Sequence, residues 1–310
     1  MTPLAPDTTP PGATLAGLEP LKTVRSRWPA IIGAGLSLAM VGALIWELLR
    51  NGLDGLTRAV PADPRFWLCF GLFYMALPTG DFVIFRRLWR IPASGLVALL
   101  KKRIANDVLI NYSGEAYFYA WARERATLVA APFGAIKDVS ILSAIAGNTI
   151  TLIMLAVALP LGRDLLTPDQ WRTALWSTVG LIAMSVPFLI FSRRVFSLSR
   201  RLLWEVFGIQ TARVIASSTF TALAWHYALP TVSLGMWVLL AAGRLLVSRL
   251  PLIPSTAKGP IFFAFATLLI GQDQALRQLI ALFESTILLT NVVLIGAFAL
   301  HGLLTRRRPW

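Results

Sequence analysis

The residues of this 310-residue chain best suited to chemistry lie close together in sequence. Asn111-Tyr112-Ser113-Gly114-Glu115 sets an amide and a carboxylate four positions apart, which on a helix is one face. Asp107 and Asn111 share that spacing, and Arg103 stands one turn earlier. The pattern predicts one polar helical stripe, Arg103–Asp107–Asn111–Glu115, with Gly114 relaxing the helix or opening a turn beside Glu115. Lys101, Lys102 and Asn106 adjoin it. Three of the five tyrosines, Tyr112, Tyr117 and Tyr119, lie here with Phe118 and Trp121. This set carries no recognisable catalytic motif. It reads either as a polar cavity for a lipid headgroup or as a solvated face at the membrane interface.

Other ionisable groups sit in apolar surroundings. Asp81, Arg244 and Glu284 fall inside apolar stretches, where a charge ordinarily faces the interior of a helix bundle. Arg244 lies near a cytoplasmic end and can alternatively snorkel to the interface. Lys137-Asp138 opens another apolar run, and Asp138 is expected to answer Lys101–Arg103 or Arg123. Lys258 stands among Pro251, Pro254 and Pro260. His226 lies beside Pro230 and suits a capping or interfacial role. No P-loop, H-E-x-x-H, C-x-x-C or G-x-S-x-G pattern occurs. One cysteine, Cys69, and two histidines predict neither a disulfide nor a metal centre, and no cofactor is expected.

The elements that must hold these residues follow from composition. The chain is 56% hydrophobic and only 14% charged, with a mean hydropathy of +0.67. That excludes a soluble globular domain, a disordered chain and a nucleic-acid-binding domain. The net charge of +14 is concentrated at the ends of apolar runs, where Lys and Arg set membrane orientation. The runs are Trp28–Trp46, Phe66–Phe85, Val139–Gly162, Thr173–Ser192, Val214–Gly243, Gly259–Gln272 and Ser285–Thr305. Val214–Gly243 is either one tilted helix or a hairpin turned at Pro230. Charge parity favours the hairpin. Lys22, Arg25 and Arg27, Arg86, Arg87 and Arg90, Lys101–Arg103, Arg193, Arg194, Arg200 and Arg201, and Arg306–Arg308 then all fall on the cytoplasmic side.

The expectation is an all-α polytopic membrane bundle of about eight spans over residues 28–305. Cytoplasmic tails occupy 1–27 and 306–310, in the inner membrane. Helices near 213–229 and 231–249 form the hairpin, followed by spans near 252–272 and 277–303. Two segments are anomalous. Residues 93–130 are too charged to span freely and too aromatic for a loop, which predicts re-entrant or interfacial helices. Residues 250–259 predict an unwound stretch leading to a half-helix at Pro260–Gly271, since three prolines interrupt a helix; an ordinary loop is the alternative.

Together, Asn106/Asn111 with Gly114-Glu115, then Lys137-Asp138, then Leu250-Pro-Leu-Ile-Pro254 with Gly259 resemble the transmembrane region of lysylphosphatidylglycerol synthases, the flippase-like integral membrane family. The resemblance covers roughly residues 30–305. It departs from the family at Tyr112-Ser113, where proline and glycine are usual, and at Glu284, where arginine is usual. It implies a bundle that handles lipids with polar headgroups, anionic or polyprenyl-linked. The synthases' soluble aminoacyl-transferring domain has no counterpart before Trp310, so lipid aminoacylation is not expected. The expected headgroup-binding set is Lys101, Arg103, Asn106, Asn111, Glu115, Asp138, Lys258 and Glu284. Three readings stand: a lipid translocase or lipid-binding protein, a non-transporting subunit anchoring a membrane-protein partner, and an intramembrane transferase with Glu115 or Asp138 as base.

Overall fold

The computed structural model describes residues 60–108, 113–124, 132–161, 196–249, 255–270 and 273–306, with a few isolated positions between. These form eight α-helices, and among the described residues there is no strand. They are α1 (Pro64–Trp89), α2 (Gly95–Val108), α3 (Ser113–Glu124), α4 (Pro132–Leu161), α5 (Arg200–Ala228), α6 (Leu234–Arg249), α7 (Ser255–Ile270) and α8 (Gln274–Arg306). Among the described residues, Pro64–Trp89, Phe133–Val157 within α4 and Gln274–Phe298 within α8 are long and apolar enough to cross a membrane.

Local chemistry sets the ends of α1. The Asp63 carboxylate accepts from the Arg65 amide at 2.8 Å, and Pro64 follows the cap, where its missing N–H costs nothing. At the far end Arg90 takes a left-handed conformation, φ 53°, and its amide donates to the Arg86 carbonyl. The helix runs about 39 Å at 1.5 Å per residue.

Helix α1 lies antiparallel to α5, because contacts descending α1 ascend α5: Arg87 meets Glu205, and Asp81 meets Arg213. Two apolar clusters flank this pair. Phe66, Phe70, Phe73, Trp225, Trp237, Phe262 and Phe283 join α1 and α5 to α6, α7 and α8. Trp225 is fully buried and stacks on Phe262, with ring centroids 6.0 Å apart. Phe85, Trp89, Leu99, Phe118, Val139 and Val206 join α1 and α5 to α2, α3 and α4. Large apolar side chains also face outward in i, i+4 pairs: Leu68 and Leu72, Ile153 and Val157, Leu289 and Val293.

Several expectations meet the structure directly. The Phe66–Phe85 run lies within α1, and the Val139–Gly162 run lies mostly in α4, which starts seven residues earlier. The thirty-residue run is two helices separated around Pro230, as charge parity required; α5 begins at Arg200 rather than near 213. Trp28–Trp46 lies outside the described residues, as do residues 1–27 and nearly all of Thr173–Ser192.

Two expectations are corrected. A single helical stripe from Arg103 to Glu115 does not form, since α2 ends at Val108 and a new helix begins at Ser113. Lys258, Gly259 and Pro260 are not the edge of an unwound stretch, because α7 is already helical from Ser255. Pro260 sits in the second turn, where it removes the backbone bond to Thr256 and crowds that carbonyl, yet α7 continues to Ile270.

Candidate functional site: a buried charge network at the α2–α3 hairpin

Helices α2 and α3 lie side by side, and α2 also touches α1, α7 and α8. Gly114 makes the hairpin tight. A Cβ there would overlap the Lys102 carbonyl and come within 2.8 Å of Asn106 Oδ1. The Gly114 amide donates to Asn106 Oδ1 at 2.7 Å, and the Ser113 hydroxyl donates to the Ala105 carbonyl at 2.8 Å. Asn106 therefore satisfies an amide at the start of α3, the task an N-cap performs.

The hairpin carries Lys102 into the bundle. Its Nζ lies 2.8 Å from Asp81 Oδ2 on α1 and 3.4 Å from Glu115 Oε1 on α3. The other Asp81 oxygen lies 2.6 Å from Arg213 on α5, which also donates to the Ser143 hydroxyl on α4 at 2.7 Å. Two acids, two bases and the Ser143 hydroxyl thus tie five helices together. Asp81, Lys102 and Arg213 are buried, whereas the Glu115 side chain keeps 19% exposure. Gly80 gives the Arg213 stem room to lie against α1. Charges drawn this far from water persist only as hydrogen-bonded pairs.

Arg103 points the other way around α2. It donates to the Tyr74 carbonyl, lies 3.9 Å over the Tyr74 ring, and pairs with Asp107 at 3.4 Å. The Tyr74 hydroxyl donates to Asn291 Oδ1 on α8 at 2.6 Å. Tyr74→Phe is expected to cost about 1 kcal/mol, since it strands a buried acceptor; a thermal midpoint in detergent measures this, and no shift would dismiss the bond.

On the other side, Arg244 of α6 holds Glu284 of α8 at 2.6 Å and lies over the rings of Phe73 and Phe283. Gly259 borders the Glu284 carboxylate. Lys258 donates to the Ser248 carbonyl at 2.9 Å, near the negative C-terminal end of α6. Asp107 lies within electrostatic reach of Lys258. Between α5 and α6, Ser217, Ser218, Thr221, Arg244 and Ser248 line a cavity of about 40 Å³, large enough for water.

The expected residues therefore divide. Arg103 and Asn106 lie on α2 and Glu115 on α3 beside it, while Lys258 of α7 lies toward Asp107 of α2. Lys101 lies beside them but sits over the Phe298 ring, 5.1 Å from its centroid. Glu284 engages Arg244. Asp138 is elsewhere: fully buried, it accepts from the amides of Ser197 and Leu198 at 2.6 and 2.8 Å, with Lys137 at 3.6 Å. It orders the approach to α5 instead of answering Lys101–Arg103, and the Arg123 side chain lies outside the described residues. Asn111 lies outside the described residues. Arg213, Tyr74 and Asn291 were not anticipated. A charge at the edge of an apolar run was the available signal for Arg213; Tyr74 and Asn291 gave none beyond being polar. Searched against family models, curated proteins and solved structures, the chain matches none.

Proposed function

We propose that this protein is a polytopic inner-membrane bundle that binds lipids by their anionic headgroups and moves them across the bilayer. It has about eight spans, both termini cytoplasmic, and the α2–α3 hairpin re-entering from the cytoplasmic side. One observation carries the reading. Among the described residues, Lys102, Arg103, Arg213 and Arg244 pair with Asp81, Asp107, Glu115 and Glu284, and Lys101 adds a further cation beside the hairpin. Positive charge in excess among apolar helices attracts an anion, and lipid phosphate is the anion at that depth. The outward apolar pairs on α1, α4 and α8 suit contact with acyl chains. The family resemblance points the same way. Asp138, one base of the transferase reading, is sealed and engaged by two amides, which supports binding over group transfer.

A second reading, a scaffold that anchors a membrane-protein partner, draws support from the pairing of each of those four carboxylates. Reconstitution separates the two. In vesicles containing fluorescent phosphatidylglycerol, the translocase reading expects the protein to accelerate exposure of inner-leaflet lipid to a membrane-impermeant quencher. A rate equal to protein-free vesicles would remove it and leave the scaffold. Topology has its own check: reporter fusions after Arg58 and Arg308 are expected to read opposite sides, and one side for both would end the eight-span arrangement.

A further inference from the structure

Lys102 is held unequally by its two carboxylates. Asp81 lies at 2.8 Å, is itself buried and is fixed by Arg213. Glu115 lies at 3.4 Å, is the most exposed member of the network, and among the described residues leaves Oε2 buried without a hydrogen-bond partner. The charged groups around it are Lys102 from α2, Asp81 from α1 and Arg213 from α5. The start of α3 is secured by backbone and by Asn106, through Gly114 and Ser113. A change of Glu115 rotamer therefore frees one side of Lys102 without moving the hairpin or disturbing Asp81.

We propose that Glu115 is an internal stand-in for the ligand: it occupies Lys102 when the site is empty and is displaced by the phosphate of an anionic lipid. This rests on the lipid-handling reading above and identifies Lys102 as the cation that meets the headgroup. The vacated position lies beside the first turn of α3, a twelve-residue helix whose N-terminal end carries partial positive charge that also favours an anion. The device gives release as well as capture, because the carboxylate returns to Lys102 when the phosphate leaves.

The test is native mass spectrometry of the full chain in non-ionic detergent, titrated separately with phosphatidylglycerol, phosphatidylcholine and inorganic phosphate. Glu115→Gln and Glu115→Ala both leave the Asp81 pairs intact. Each is expected to retain phosphatidylglycerol about tenfold more tightly than the natural chain, the loss of one competing ion pair at intermediate dielectric. Phosphatidylcholine binding is expected to stay unchanged, and inorganic phosphate to bind much more weakly than phosphatidylglycerol. In vesicles, Glu115→Gln is expected to slow lipid movement, since release loses its competitor. Unchanged or weaker phosphatidylglycerol binding in both variants would overturn the stand-in role while leaving lipid handling intact. An equal gain for phosphatidylcholine, or phosphate binding as tight as lipid, would also overturn it. No phosphatidylglycerol binding by any form would instead remove the lipid reading itself.

Discussion

Asp81→Ala is expected to be the most damaging single substitution in the bundle, costing about 3–5 kcal/mol. The side chain is 3% exposed and anchors both Lys102 and Arg213. Its removal leaves two cations away from water, with Glu115 still beside Lys102 and Ser143 beside Arg213. Thermal unfolding in detergent reads the effect, as does the yield of monodisperse protein. Asp81→Asn keeps the shape and removes the charge, so it is expected to fall almost as far. Replacing Arg213 by glutamine in the Asp81→Asn background removes one of the two stranded cations, and stability is expected to recover in part. Two variants as stable as the natural chain would mean that the four charges are not coupled.

Gly114→Val is expected to cost about 2–3 kcal/mol, near the upper part of the range for forcing extra carbons into a filled site. The obstacle is the Lys102 backbone carbonyl, which has no rotamer to change. Relief requires α3 to move off α2, and that breaks the Gly114–Asn106 bond and draws Glu115 away from Lys102. Lower thermal stability and faster proteolysis between α2 and α3 are the readouts. Gly71→Ala serves as the control, since nothing lies within 4 Å of that position. Equal behaviour of the two variants would mean that the hairpin is not closely apposed.

Helices α1, α4 and α8 were legible because their apolar runs are long and their ends carry caps or charge. The break at Pro230 was legible because thirty apolar residues exceed one span and the flanking arginines require an even count. The break between α2 and α3 was not legible. Arg103, Asp107, Asn111 and Glu115 keep helical spacing straight across it, and the bond that starts α3 comes from Asn106, eight residues back. Proline spacing overstated the unwinding at 255–259, which are already helical, because one proline in the second turn costs a backbone bond and some crowding without ending the helix. Asp81 was recognisable as a charge inside an apolar run. Its partners were not: Arg213 is 132 residues away, and only the antiparallel pairing of α1 with α5 brings it near. Glu284 and Arg244 show the same limit, two charges noted separately that form one pair across α6 and α8.

Photo-crosslinking tests most directly whether the α2–α3 hairpin, with α7 against α2, takes lipid headgroups. The full chain would be reconstituted with phosphatidylglycerol carrying a photoactivatable headgroup, irradiated, and the labelled peptides mapped by mass spectrometry. Labels are expected in 101–106, 113–119 and around Lys258, and unlabelled phosphatidylglycerol is expected to compete them away. Labels confined to residues around Leu68 and Leu72, Ile153 and Val157, and Leu289 and Val293, with none at the hairpin, would contradict the account.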